Sequence, residues 1–259
     1  MKFAVLASSS AGNSTYVESN GTAVLIDAGT NAKCIGAALR AIGADPAALA
    51  GICLTHDHTD HTSAVAVLEH RYRTPLYATD GTIDVVCCGC ANDEGADWPW
   101  VSFAPGSLFE IGALRFEAFP VPHDAGDPVG FAVTDGRARL GFATDLGTVP
   151  EVVRHHLRDC DALAIEFNHD PLMLERSDRP RSLVQRIRGR SGHLSNEQGA
   201  ELLAAVAGPR LRHVLPMHLS GECNRPDLAV AAARDALRGA GLDPDLVREP
   251  AYPSPLYEI

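Results

Sequence analysis

The chain has 259 residues, 46% hydrophobic and 21% charged, which is enough to bury a substantial core and excludes an intrinsically disordered protein. Its formal net charge of −11 argues against a protein that coats nucleic acid through bulk positive charge, but not against local recognition. No apolar run approaches the ~20 residues of a membrane helix, and the stretch from Met1 to Leu6 is too short for a secretory signal, so a cytoplasmic protein is expected.

In chain order, Phe3–Leu6, Ser14–Glu18 and Thr22–Ile26 read as short strands, with Asn20-Gly21 as a turn between the last two. Ala32–Ile42 has helical periodicity and stops at Gly43. The apolar run Leu49–Leu54 then leads into the histidine-rich string Leu54-Thr55-His56-Asp57-His58-Thr59-Asp60-His61. Ser63–His70 reads as a helix, Pro75–Ala78 as a strand, Thr82–Ala91 as another helix and Asn92–Trp100 as a polar loop. A second strand-rich block follows at Leu108–Ile111, Leu114–Ala118, Gly130–Thr134 and Arg139–Ala143, with Asp135-Gly136 as a hairpin turn. Pro150–Leu157 reads as a helix and Ala162–Phe167 as an apolar strand. Helices are expected near Ser182–Arg188, Asn196–Ala207 and Pro226–Ala240, and a strand at His213–Pro216. Strands and helices twice over, without a linker, fit two sheets packed face to face with helices outside, an αββα layering.

The seven cysteines are an odd set without disulfide-scaffold density. Cys87-Cys88-Gly89-Cys90 falls in an expected helix with no second Cys/His pair at zinc-finger spacing, so its cysteines are expected to be small buried hydrophobes.

The string offers three histidines and two aspartates in six positions, spaced as H-x-H-x-D-H. Neutral imidazole and carboxylate are ligands that zinc, manganese and iron accept at neutral pH. If the segment leaves a strand as a tight loop, His56 and His58 point to one side, and Asp60 and His61 serve a neighbouring position. A histidine-rich surface loop is the plain alternative, yet such a loop rarely follows a buried strand so directly. Four more sites sit where expected strands end. Asp27 follows Ile26, His123 follows Val121-Pro122, Asp145 follows Ala143-Thr144, and His218 follows Pro216-Met217. Each alone reads equally well as a helix cap or a satisfied histidine. Together they place ligand chemistry at one kind of boundary.

With Asp27, the His56–His61 string, His123, Asp145 and His218 in that order, the chain resembles the metallo-β-lactamase-fold hydrolases over about residues 3–224. The resemblance implies a four-layer αββα sandwich, taken here as one domain over residues 1–259, with two divalent ions (zinc or manganese, with iron also fitting) at one edge. It implies His56, His58 and His123 on one metal and Asp60, His61 and His218 on the other, with Asp145 bridging. Asp27 would orient a metal-bound histidine from behind. Ala64 stands where the superfamily often has glycine.

Four further segments resemble the YycJ/WalJ-like branch, whose members resemble exonucleases acting on DNA from the 5′ end. They are the hydroxyl-rich turn from Leu6 to Ser14, Glu166-Phe167-Asn168-His169-Asp170, Gly192-His193-Leu194-Ser195-Asn196, and His218-Leu219-Ser220-Gly221-Glu222-Cys223-Asn224. On that resemblance Asp60, His193 and Asp27 are the expected catalytic residues, with His193 as a general acid for the leaving alkoxide or a donor to the phosphoryl oxygens. Ser8, Ser10, Asn13, His169, Asn196, Ser220 and Asn224 are the expected substrate contacts. The arginines at 176, 179, 181, 186, 188 and 190, with only Asp178 among them, read as a phosphate-facing patch or a solvated helix face. The expected activity is a phosphodiesterase or nuclease using a hydroxide shared by two metals, with nucleic acid, DNA first, as substrate. A cyclic phosphodiesterase or thiolesterase on the same metals is the alternative enzyme, and a regulatory protein with a degenerate site the alternative class. Oligomeric state is left open by the sequence.

Overall fold

The structure, a computed structural model, describes residues 1–89 and 95–259. The chain divides into two compact units. The first comprises Met1–Ala118, Ala125–Val129 and Ala251–Glu258, and the second Phe119–Asp124, Gly130–Pro250 and Ile259.

In the first unit, strands β1 (Lys2–Ala7), β2 (Ser14–Ser19) and β3 (Thr22–Ile26) form an antiparallel meander. Asn20 (φ 49) and Gly21 (φ 79) take left-handed backbone at its second turn, which this residue pair adopts readily. Helix α1 (Ala32–Ala41) starts at Asn31, whose side chain accepts from the Lys33 N–H. Then come β4 (Gly51–Cys53), α2 (Thr59–Thr62), α3 (Val65–Tyr72), β5 (Leu76–Ala78), α4 (Asp80–Cys88), β6 (Trp100–Ser102) and β7 (Leu108–Ile111). Strand β8 (Leu114–Pro120) forms a hairpin with β7 and leaves the unit after Ala118. β13 (Tyr257–Glu258) returns late in the chain to pair with β1, and the Ser254 hydroxyl accepts from the Val5 N–H. The sheet order is β13-β1-β2-β3-β4-β5-β6, antiparallel up to β3 and parallel beyond it. Leu25, Ile35, Leu39, Ile52, Leu54 and Leu76 fill its core at zero exposure. Each such side chain contributes about 1.5–3 kcal/mol.

In the second unit, β9 (Val129–Thr134, all but its first residue) pairs antiparallel with β10 (Arg139–Ala143). β10 runs parallel to β11 (Ala162–Glu166), and β11 parallel to β12 (His213–Met217). Helices α5 (Glu151–Leu157), α6 (Pro171–Glu175), α7 (Arg181–Ile187), α8 (Asn196–Val206) and α9 (Pro226–Gly239) complete the unit. α8 opens on a capping box in which Ser195 and Gln198 satisfy each other's backbone N–H groups. Phe119, Leu157, Leu163, Ile165, Phe167, Leu203 and Leu237 are its buried core. Among the described residues, no helix is long and apolar enough to cross a membrane.

Several expectations need correcting. Half of the histidine string is not loop: Thr59–Thr62 is a helical turn begun at His58. α4 begins two residues earlier than expected because the Thr79 hydroxyl accepts from the Thr82 N–H and caps it. Cys90 and Ala91 lie outside the described residues, as do residues 92–94 of the expected polar loop, which ends in β6. Cys87 is half-buried and Cys88 exposed, not buried hydrophobes. The inward face of α4 is set instead by Thr79 and Thr82, whose hydroxyls donate to the Asp127 and Gly126 carbonyls, turning the cysteines outward.

Candidate metal centre

In the first unit the string is held by the loop that follows β3. Asp27 is fully buried in left-handed backbone (φ 62). Its Oδ2 accepts from His61 Nδ1 at 2.8 Å, and its Oδ1 from the Thr55 N–H at 2.8 Å. The Thr55 hydroxyl donates to Asp27 Oδ2 (2.9 Å) and lies 3.0 Å from His56 Nδ1, from which it then accepts. With Nδ1 committed as donor in both rings, Nε2 is the lone-pair nitrogen of His56 and of His61. The His56 ring packs against those of His58 and His61, with centroids 4.7 and 4.1 Å away. Asn13 Nδ2 sits 3.0 Å from His61 Nε2 and 3.4 Å from Asp60 Oδ2. Gly29 permits this closeness: a Cβ there would lie 1.6 Å from the Asp60 carbonyl oxygen. Ala64 is buried, and its N–H donates to the Ala28 carbonyl, joining the two loops.

The second unit gathers a separate set. Asp145, Glu166, His193 and His218 bring one donor atom each within 4.8 Å of one another. Glu166, the last residue of β11, is fully buried and is the hub. Its Oε1 accepts from His193 Nδ1 and His218 Nδ1, both at 2.9 Å. Its Oε2 accepts from the Leu146 and Leu194 N–H groups at 2.8 and 3.0 Å. Burial pushes its pKa up, but the two rings outweigh burial and bring the carboxyl down to about 2. His123 Nδ1 lies 3.2 Å from the Gly192 carbonyl oxygen, so its Nε2 again carries the lone pair. That Nε2 is 3.6 Å from Asp145 Oδ1. Asp145 (φ 61) and His218 (φ 58) share the left-handed backbone of Asp27, which turns each side chain out sharply at a strand end. Gly147 lets the segment before His193 approach, since a Cβ there would meet the Arg190 backbone at 2.3 Å.

The remaining expected residues lie as follows. Ser8 is buried and Ser10 exposed. Asn13 fastens the hydroxyl-rich turn to the string: its Nδ2 donates to the Ser9 and Asp60 carbonyls. Asn196 and Asn224 form a reciprocal amide pair, each Nδ2 2.9 Å from the other's Oδ1, and Asn224 also donates to the Phe167 and Asn168 carbonyls. Ser220 accepts from the Cys223 N–H through its hydroxyl. The His169 ring is 3% exposed, and burial pushes its pKa down to about 4, so it is neutral. The arginine stretch is opposed by more than Asp178: Arg186 meets Asp124 at 2.6 Å and Arg179 meets Glu222 at 3.0 Å. Glu166 opens one of the four segments quoted from the sequence, but the sequence reasoning gave it no role at the site. Its signal was a carboxylate closing the otherwise apolar strand Ala162–Glu166.

A family model described as a beta-lactamase superfamily domain matches residues 22–219. The chain is 31% identical over 241 residues to the exodeoxyribonuclease YycJ of Bacillus anthracis, covering 93% of this chain and 90% of that protein. It is 33% identical over 269 aligned positions to the exodeoxyribonuclease WalJ of Streptococcus pneumoniae, covering 100% and 98%. Among solved structures, Zn(2+)-bound PqqB from Methylobacterium extorquens superposes over the full length of both chains with a TM-score of 0.74 at 18% identity. The chain therefore belongs to the beta-lactamase superfamily, and within it to the YycJ/WalJ-like branch. Its fold is the α/β sandwich of the metallo-β-lactamase type, and it is a hydrolase of that fold.

Proposed function

We propose that this protein is a metal-dependent phosphodiesterase that acts as an exonuclease on DNA from the 5′ end. The observation that carries the reading is that His56, His61, His123 and His218 all have Nδ1 engaged by an oxygen. An imidazole held that way presents Nε2 to a metal in a fixed direction. The donor set is imidazole and carboxylate throughout, which suits zinc or manganese. His56, His58 and His123 would hold one divalent ion and Asp60, His61 and His218 a second, with Asp145 as a further ligand. When bound, the ions supply Lewis acidity and make a water acidic enough to react near neutral pH.

The residues themselves do the rest. Asp27 and Glu166 keep the ligand rings in one tautomer and orientation. Glu166 makes Nδ1 of His193 the inner nitrogen, so Nε2 is the atom that meets substrate. As the water oxygen bonds to phosphorus and the bond to the leaving oxygen breaks, His193 gives the Nε2 proton to that alkoxide. Ser8, Ser10, Asn13, His169, Asn196, Ser220 and Asn224 are proposed to shape the space around the substrate, by contact or by holding the loops that make contact. The substrate class is taken from the names of the two relatives, both exodeoxyribonucleases.

The test is digestion of end-labelled single- and double-stranded DNA and RNA with added zinc or manganese. Stepwise release of nucleotides from the 5′ end of DNA is expected. Cleavage of none of these, alongside hydrolysis of a small phosphodiester or thioester, overturns the nuclease reading. His193→Ala is expected to lower kcat with little change in KM, and a change in KM alone overturns the acid role.

A further inference from the structure

Between α1 and α3, wholly within the first unit, lies a cavity of ≈ 520 Å³ lined by Lys33, Arg40 and Arg71, with Asn31, Ser63 and Tyr72. A second cavity of ≈ 640 Å³ shares Val67 and Arg71 with it and reaches Trp98. The two cavities meet at Val67 and Arg71 of α3, and together they are called the α1–α3 groove. In a chain with 33 acidic and 22 basic residues, three cations lining one cavity with no acid beside them among the described residues is a departure from composition. Among the described residues, none of the three is ion-paired. Arg71 instead lies over the Tyr72 ring, 5.2 Å from its centroid. Among the described residues lining the second cavity, the carboxylate is Glu69, which is buried and taken by Arg73 at 2.9 Å.

Cations along a groove with aromatic rings beside them are what a single strand of nucleic acid needs, since phosphates meet the charges and base faces meet the rings. The groove opens next to the loops that carry ligands. Asn31 comes four residues after Asp27 and Ser63 two after His61. Those loops are joined by Ala28 N–H to the His61 carbonyl and Ala64 N–H to the Ala28 carbonyl, both at 2.8 Å.

We infer that the α1–α3 groove binds the phosphate backbone of a single-stranded nucleic acid away from the bond being cut, with Lys33, Arg40 and Arg71 as phosphate contacts and Trp98 as a stacking surface. This rests on the nuclease reading for its occupant. It also makes local recognition compatible with a net charge of −11.

The test uses metal-loaded protein and a labelled phosphorothioate single strand of about ten nucleotides, within the site sizes such grooves cover. Binding is followed by fluorescence anisotropy across a salt series. The combined variant Lys33→Gln, Arg40→Gln, Arg71→Gln is expected to bind at least about tenfold more weakly, and its log affinity against log salt to be shallower by about 2. Arg71→Gln alone, the residue both cavities share, guards against loss of fold and should flatten that slope by about 0.7. Trp98→Phe is expected to reduce the quenching of tryptophan emission by the strand. Hydrolysis of a small p-nitrophenyl phosphodiester should be unchanged in all three. Unchanged affinity and slope, with wild-type protein cleaving DNA, overturn the groove alone. A wild-type protein that hydrolyses the small ester but neither binds nor cuts single strands overturns the nuclease reading and the groove together.

Discussion

The two units hold their histidines by different wiring. In the first, Asp27 reaches His61 directly but reaches His56 only through the Thr55 hydroxyl. The rings are oriented in series. In the second, a single oxygen of Glu166 accepts from both His193 and His218, and its other oxygen is fixed by two backbone N–H groups. There the rings are oriented in parallel. Series wiring confines damage to what lies beyond the broken link, whereas parallel wiring releases everything when the hub is lost. The second unit should therefore be the more fragile under a change that alters charge but hardly alters shape.

The largest expected effect ignores the wiring and removes a ring: His61→Ala should bring phosphodiester hydrolysis to background while circular dichroism stays that of wild type. Full activity in a metal-verified variant would refute the proposed ligand set. Next, Glu166→Gln should lower turnover or metal affinity by about 10–100-fold, the range for partners that orient metal ligands. Thr55→Val, which breaks the relay to His56 but spares the Asp27–His61 contact, should cost no more than about tenfold. Chelator competition and steady-state kinetics measure both, and equal losses would break the contrast between series and parallel wiring.

A smaller effect concerns His169 beside the hub. Burial lowers its pKa from the ordinary 6.5 to about 4 on folding. Between those values the unfolded chain binds a proton that the folded chain refuses, so stability falls as pH drops from 6.5 toward 4. His169→Gln should flatten that stretch of the stability curve by on the order of 2–3 kcal/mol, read by urea unfolding at several pH values. An unaltered slope would mean the ring takes up its proton in the fold. The smallest is Asn224→Ala, which takes the side-chain donor from the Phe167 carbonyl and the Asn196 amide and should cost about 1–3 kcal/mol of stability. If kcat drops far more than stability, the amide pair meets substrate as well as structure.

Elements with a clear period or a turn signal were legible in the sequence. β3, β7 and β10 begin and end where the residue pattern places them. β6 and β13 were not, because runs of three and two residues carry no alternation to read. α6 is a five-residue helix set by the Asp170 cap and Pro171, and it too lacks a period. At the site, the clustered string announces itself, and the strand-end aspartates and histidines become readable once a strand is expected before them. Glu166 did not stand out, since a glutamate after an apolar strand usually faces water. Only the packing of the His193 and His218 loops around it reveals that it is fully buried.

The pairing of β1 with β13 has a consequence for synthesis. Ala251–Glu258 belongs to the first unit although nearly all of the second precedes it in the chain. A ribosome thus delivers β1 early and its outer neighbour only after about the whole second unit has emerged, at a pace on the order of 5–20 residues per second. For those seconds the nascent chain carries an unpaired strand edge, the kind of surface to which another strand can add. Completion of the first unit is timed by the making of the second.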